Sequence, residues 1–237
     1  MKILSISAIV LATTLSTFVF TGCGEAPKSD NATTTEAKSK TDEQQKQEAA
    51  ASKLTIDVAS SKVGWVGSKK LGDKHNGFLG IKSGALDVKD GALVGGKIAL
   101  DMDKLTVTDI TDTKKNGDLV GHLKGEDFFD AKKFPDASFE ILKVEKWDAS
   151  VKRGDLDPKF SIADPTHAIT GNLMMKGVTK SITFPAKVSL TDTELKAQAK
   201  FNIKRFDWNI NYGSKESAEN KIINNEVNLE LDITAKK

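Results

Sequence analysis

Val227-Asn228-Leu229-Glu230-Leu231-Asp232-Ile233-Thr234-Ala235 alternates apolar and polar residues without a break. Successive side chains of an extended chain point to opposite faces, so Val227, Leu229, Leu231, Ile233 and Ala235 share one face. Asn228, Glu230, Asp232 and Thr234 share the other. This is the pattern of a half-buried strand, apolar inward and polar outward. It recurs in Ile182-Phe184-Ala186-Val188-Leu190, in Ala197-Ala199-Phe201-Ile203 and in Val94-Gly96-Ile98-Leu100-Met102, each read at every second residue. Ala85-Leu86-Asp87-Val88 runs through Asp90-Gly91 into the last of these, and Asp-Gly between two alternating runs predicts a hairpin. Lys176-Gly177-Val178-Thr179-Lys180 is expected to reverse the chain between strands at 167–175 and 181–190.

Helix is scarce: 117–124 and 126–132 read as short helical turns, before Phe134-Pro135 leads into a strand at 137–144. Many strands, short loops and one solvated face per strand predict an all-β, antiparallel sheet. No long amphipathic helix is available to cover a flat sheet. Closing the sheet on itself buries the apolar faces and removes exposed edges. The expectation is a lipocalin-like closed β-barrel of about eight strands, the size whose interior holds one small ligand, with a two-sheet sandwich as the alternative.

The N-terminus has a different logic. Lys2 is followed by an uncharged run from Ile3 to Phe20, ending in Phe20-Thr21-Gly22-Cys23. A charged start, an apolar stretch and a small-residue cleavage zone make a secretory signal. Small residues before the scissile bond and a thiol just after it are what lipoprotein processing requires. Cys23 is the only cysteine in the chain, so an intramolecular disulfide is excluded and diacylation at Cys23 is the expectation. Residues 1–22 then form the signal, and 23–53 the lipidated cysteine and a linker. Between 24 and 53 there is no Val, Ile, Leu, Met or aromatic residue. A segment that cannot bury apolar surface is expected to be a disordered tether, with an r.m.s. reach of roughly 30 Å. Gly24, rather than Asp, after the cysteine favours the outer membrane of the cell envelope under the enteric sorting rule. The folded part is 54–237, the size of one domain. A net charge of +2, with lysines interleaved among acids throughout, gives no field suited to nucleic acid.

Several stretches in order resemble the YceI-like family of lipid- or polyisoprenoid-binding proteins. They are Leu54-Thr55-Ile56-Asp57, Ser61-Lys62-Val63-Gly64-Trp65, His75-Asn76-Gly77 and Gly84-Ala85-Leu86. The longest block is His122-Leu123-Lys124-Gly125-Glu126-Asp127-Phe128-Phe129-Asp130 with Phe134-Pro135-Asp136-Ala137-Ser138-Phe139. Ile169-Thr170-Gly171-Asn172-Leu173, Lys176-Gly177-Val178-Thr179-Lys180 and Arg205-Phe206-Asp207-Trp208 complete the set. The resemblance implies an antiparallel barrel with an elongated apolar lumen that takes an isoprenoid or similar long-chain amphiphile, and no catalytic machinery or cofactor.

The candidate lumen wall is Val63, Trp65, His75, Leu79, Ile81, Ile98, Leu100, Phe128, Phe139, Phe184, Phe201, Leu229 and Leu231. His75 shares a face with Leu79 and Ile81; a structural hydrogen bond is its first role and a ligand headgroup its second. His75, His122 and His167 are too far apart in sequence for a ligand pair, so packing, capping or surface roles are expected rather than a metal. Neither a paired carboxylate, a Gly-x-Ser-x-Gly elbow, a phosphate loop nor a dinucleotide fingerprint is present. Phe128, Phe129 and Phe134 are expected to plug one barrel end, and Arg205 to pair with a buried carboxylate or, second, to face an anionic headgroup. Two functions fit this reading. One is a membrane-anchored envelope lipoprotein carrying a lipid-like ligand; the other is a non-catalytic scaffold whose core is filled by Met174, Met175, Phe184, Phe201 and Trp208.

Overall fold

The computed structural model describes residues 25–214 and 222–237. The expected signal at 1–22 and the expected acylation at Cys23 lie outside the described residues. Ten strands and two short helices follow one another: β1 (Thr33–Glu36), α1 (Asp42–Ala49), β2 (Ser52–Ile56), β3 (Lys62–Ser68), β4 (Lys74–Lys89), β5 (Ala92–Asp101), α2 (Thr113–Lys124), β6 (Asp136–Lys146), β7 (His167–Met175), β8 (Val178–Leu190), β9 (Glu194–Lys204) and β10 (Glu226–Lys236). Every strand pair is antiparallel. Strands β3 to β10 pair in chain order, and β10 returns to β3 through Leu229 opposite Trp65 and Leu231 opposite Val63, so eight strands close a barrel. The strand β2 continues the line of β3, pairing with the far ends of β4 and β10. The closed barrel holds and the sandwich falls.

The hairpins form where expected. Asp90 and Gly91 have φ of 50° and 75°, and Lys176 and Gly177 have 49° and 73°. Two successive left-handed residues make the tight turn whose twist matches a hairpin. Between them, the alternation slips once. In β5 it is Leu93, not Val94, that is buried, because the register shifts between Asp87 and Val88 of β4 and Gly96 adopts a φ of 140°. A bulge of this kind inserts one residue and swaps the faces on either side of it. The helix α2 begins at Thr113 rather than Gly117, since the Asp112 carboxylate accepts the Lys115 N–H at 2.8 Å and caps its first turn. Residues 126–132 form hydrogen-bonded turns that do not extend into a regular helix.

The expected disordered tether is instead a belt around the barrel. Strands β8 and β9 pair only from Lys187/Gln198 to Leu190/Leu195 and then part. The N-terminal segment fills the gap. Asp30 and Ala32 exchange backbone hydrogen bonds with Asn202 of β9 at 2.7 and 2.8 Å, and β1 pairs with Ile182 and its neighbours in β8. Buried polar contacts hold it: Asn202 Nδ2 donates to Pro27 O, Ser29 Oγ donates to Phe160 O at 2.6 Å, and Arg153 grips both oxygens of Asp30 at 2.9 and 2.6 Å. Farther on, Asn172 brackets the backbone of Lys38, and Lys40 bridges Glu48 and Glu140. Composition misleads here because the stabilisation is not apolar burial. Two unpaired sheet edges offer a ready ladder, and an extended segment completes it with main-chain bonds.

Candidate functional site

The inward faces of the barrel enclose a cavity of about 700 Å³. Val63, Trp65, His75, Leu79, Ile98, Leu100, Phe128, Phe139, Phe184, Phe201, Leu229 and Leu231 all lie in its wall. Ile81 does not. It is buried in the core at the place where the β4–β5 register slips between Ile81 and Ser83, and the wall passes it by. Sequence reasoning missed Ile182, Ile203 and Val227, which also line the cavity and were readable from the same alternating runs. Leu119 and Leu123 of α2, and Ile210, Tyr212 and Ile223 of the long β9–β10 connection, complete the wall. The last three come from irregular chain, where no period exists to read.

The two ends of the lumen differ. Ile98, Phe139, Phe184 and Leu231 form a floor, since each borders both the main cavity and a void of only about 30 Å³ beneath it. In that floor Phe184 stacks on Phe201 with ring centres 4.0 Å apart and planes 10° apart, and Phe139 leans on Phe184 at 5.6 Å. At the opposite end stand the polar wall groups: Ser68, Lys69, Asp73, His75, His122, Arg205 and Tyr212. Apolar walls with a few polar groups at one place are the composition of a small-molecule pocket.

The polar groups at this mouth are held by the fold. His75 Nδ1 sits 2.8 Å from Asp109 Oδ2, and the other Asp109 oxygen accepts the Asn76 N–H at 2.8 Å. Partial burial works against the Asp109 carboxylate, yet the Asn76 amide and the His75 ring outweigh it and hold its pKa below the usual range. The adjacent Gly77 is obligatory for packing, because a Cβ there would lie 1.8 Å from the Thr106 carbonyl oxygen. His122 Nε2 lies 3.1 Å from Asp127 Oδ2, and its ring meets Phe128 and Tyr212 edge-on at 5.0 and 4.7 Å. Phe128 is therefore wall and rim together. The Trp65 indole N–H is buried without a hydrogen-bond partner among the described residues.

Arg205 departs from expectation. Its guanidinium meets no carboxylate among its described hydrogen bonds; it donates to the carbonyl oxygens of Asn224 at 2.9 Å, Ile223 at 3.0 Å and Ile210 at 2.5 Å. Burial lowers its pKa to about 10. Three carbonyls converging on one planar fork pin residues 210 and 223–224, on either side of the β9–β10 connection, to Arg205. Trp208, fully buried, donates its Nε1–H to Leu173 O at 3.1 Å and fixes the same connection to β7. His167 lies apart, beside Thr166 Oγ1 at 2.7 Å. Among the described residues no group of three or more His, Cys, Asp and Glu is placed to hold a metal ion.

Fold and cavity define a class: antiparallel eight-stranded barrels with an apolar lumen that opens beside a polar rim. Within it, the chain matches the YceI-like domain over residues 29–235 and belongs to that family. The match takes in the belt segment as well as the barrel. Two solved structures share the fold: BcnA of Burkholderia cenocepacia, 22% identical with a TM-score of 0.56 over 76% of this chain and 99% of that one, and a polyisoprenoid binding domain from Saccharophagus degradans, 16% identical with a TM-score of 0.53 over 78% and 98%. A UPF0312 protein of Pseudomonas putida is 42% identical over 65 residues, which span 27% of this chain and 26% of that protein.

Proposed function

We propose that this protein is an envelope lipoprotein, acylated at Cys23 and held by preference at the outer membrane, that carries a long-chain apolar molecule of isoprenoid or similar type in its lumen without chemical change to it. The observation that carries the reading is the cavity of about 700 Å³, walled by aliphatic and aromatic side chains and rimmed at one end by polar ones. That volume falls in the roughly 300–1,000 Å³ range of ligand pockets and exceeds any packing void of a close-packed interior. A long chain seated there gains about 0.8 kcal/mol per buried CH₂. The Saccharophagus degradans domain of the same fold is described as polyisoprenoid binding, which supports this ligand class. The scaffold alternative asks the protein's own side chains to fill the barrel. Met175, Phe184 and Phe201 border the cavity and leave it open.

Mass spectrometry of organic extracts tests the reading, with natively purified parent protein beside its Leu100→Trp variant. The parent is expected to release a stoichiometric long-chain species and the variant, whose indole occupies the lumen, to release little. Empty parent protein from its native membrane would sink the carrier.

A further inference from the structure

The place where the N-terminal belt leaves the barrel decides which end of the lumen meets the membrane. Pro27 is fastened to Asn202, close to Lys204, the last residue of β9. Lys204 leads directly into Arg205 and the β9–β10 connection that frames the mouth. Only residues 24–26 separate Pro27 from Cys23, a leash of roughly 14 Å at full stretch. The opposite, closed end of the barrel begins at Glu194, eight residues down β9 from Asn202, or roughly 26 Å along the strand. A strand tilt of about 40° reduces that to a height of roughly 20 Å. The leash is too short to bring the closed end to the bilayer, and long enough to bring the mouth there.

The rim has the surface such a placement needs. Among the described residues six large hydrophobic side chains are exposed, and three of them, Leu71, Phe206 and Tyr212, sit on segments that are joined to one another through 222–225. The β3–β4 turn carrying Leu71 is stitched to 222–223, Tyr212 precedes Gly213 whose carbonyl accepts the Ile223 N–H, and the Phe206 N–H donates to Asn225 Oδ1. Arg205, itself buried, packs under the Phe206 ring at 4.7 Å. Exposed aromatic and aliphatic side chains gathered at one end of a barrel are the composition of a membrane-interface contact.

We infer that the open end of the barrel docks on the leaflet that holds the anchor, with Leu71, Phe206 and Tyr212 in the interface, so that the apolar ligand passes between bilayer and lumen without crossing water. The inference rests on the proposed Cys23 anchor and deepens it, since it assigns the lipid surface as the partner of the mouth. A ligand drawn from the anchoring leaflet never exposes its chain to solvent, which removes the main barrier to its transfer.

The test uses the full chain, exported and acylated, carrying Leu71→Cys at the rim or Asp192→Cys in the closed-end hairpin. Each is labelled with an environment-sensitive thiol dye and reconstituted into phosphatidylethanolamine/phosphatidylglycerol vesicles containing nitroxide lipid. The dye at position 71 is expected to shift to the blue and lose most of its fluorescence, and the dye at position 192 to do neither. Adding Phe206→Ser to the rim-labelled chain is expected to weaken the quenching while leaving extractable ligand in place. Equal quenching at both positions, or more at 192, overturns the orientation and leaves the anchor standing. A second dye per chain means that Cys23 kept its thiol, and overturns anchor and orientation together.

Discussion

The two halves of this barrel are built from the same alternation and end in opposite states. Toward the closed end, Leu86, Leu93, Ile141, Ile169, Ala186, Ala199 and Ile233 close around a void of about 30 Å³. Toward the mouth, Val63, Leu79, Leu100, Ile203 and Leu229 stand around about 700 Å³. The difference comes from what meets the inward faces. Below the floor, β2 adds Leu54 and Ile56 to the interior, and the Ile56 side chain reaches the backbone at Gly84. Above it, the described parts of the β9–β10 connection are tied down by Arg205 and Trp208, and Ile210, Tyr212 and Ile223 border the space without filling it. Period two specifies which face is inward. It carries no information on whether that face meets another side chain or a hollow.

The contrast can be broken by one substitution made twice. Leu86→Ala opens a new cavity in the packed half and is expected to cost about 3–5 kcal/mol in denaturant unfolding. The same truncation at Leu100 only enlarges a space that already exists, so the transfer term remains without the cavity term, about 1–2 kcal/mol. Equal costs at both sites would mean that the upper half is as solid as the lower. A third, smaller effect sharpens the picture of the mouth. The lowered Asp109 pKa contributes stability that is fully present above the unfolded value near 4 and is lost as pH falls through the folded one. Asp109→Asn is expected to remove less than about 1 kcal/mol at neutral pH and to flatten the acid limb of the stability profile, followed by urea midpoints between pH 3 and 7.

Much of this fold was legible because its strands write their faces into the chain. The run 227–235, the Asp90-Gly91 hairpin and the reversal at Lys176-Gly177 stand where alternation and turn chemistry put them. Of the thirteen candidate wall residues twelve border the cavity, all but Ile81, although Phe128 does so from a turn rather than from a strand. What escaped was set by tertiary geometry. Val94 was misplaced by a register slip that depends on the partner strand, whereas Ile81 keeps its inward face and is buried in the core outside the cavity. The roof residues Ile210, Tyr212 and Ile223 lie in irregular chain. Arg205 looked like half of an ion pair, since sequence cannot foretell that three carbonyls will converge on it. The belt escaped for a further reason: its composition describes how it behaves alone, whereas its order is a property of the gap it fills.

That gap also sets a calendar for assembly. Thr33 pairs with Thr183, and Asp30 and Ala32 bond to Asn202, so the first part of the belt to emerge during synthesis or export has partners made only after most of the chain. Contacts of such long sequence separation form late and make folding slow. Until β8 and β9 exist the belt has no place to lie, and until it docks the wall keeps a slit where those two strands part. The barrel is sealed by the segment nearest Cys23, so if the proposed anchor is in place the step that completes the lumen is also the one that draws it toward the membrane.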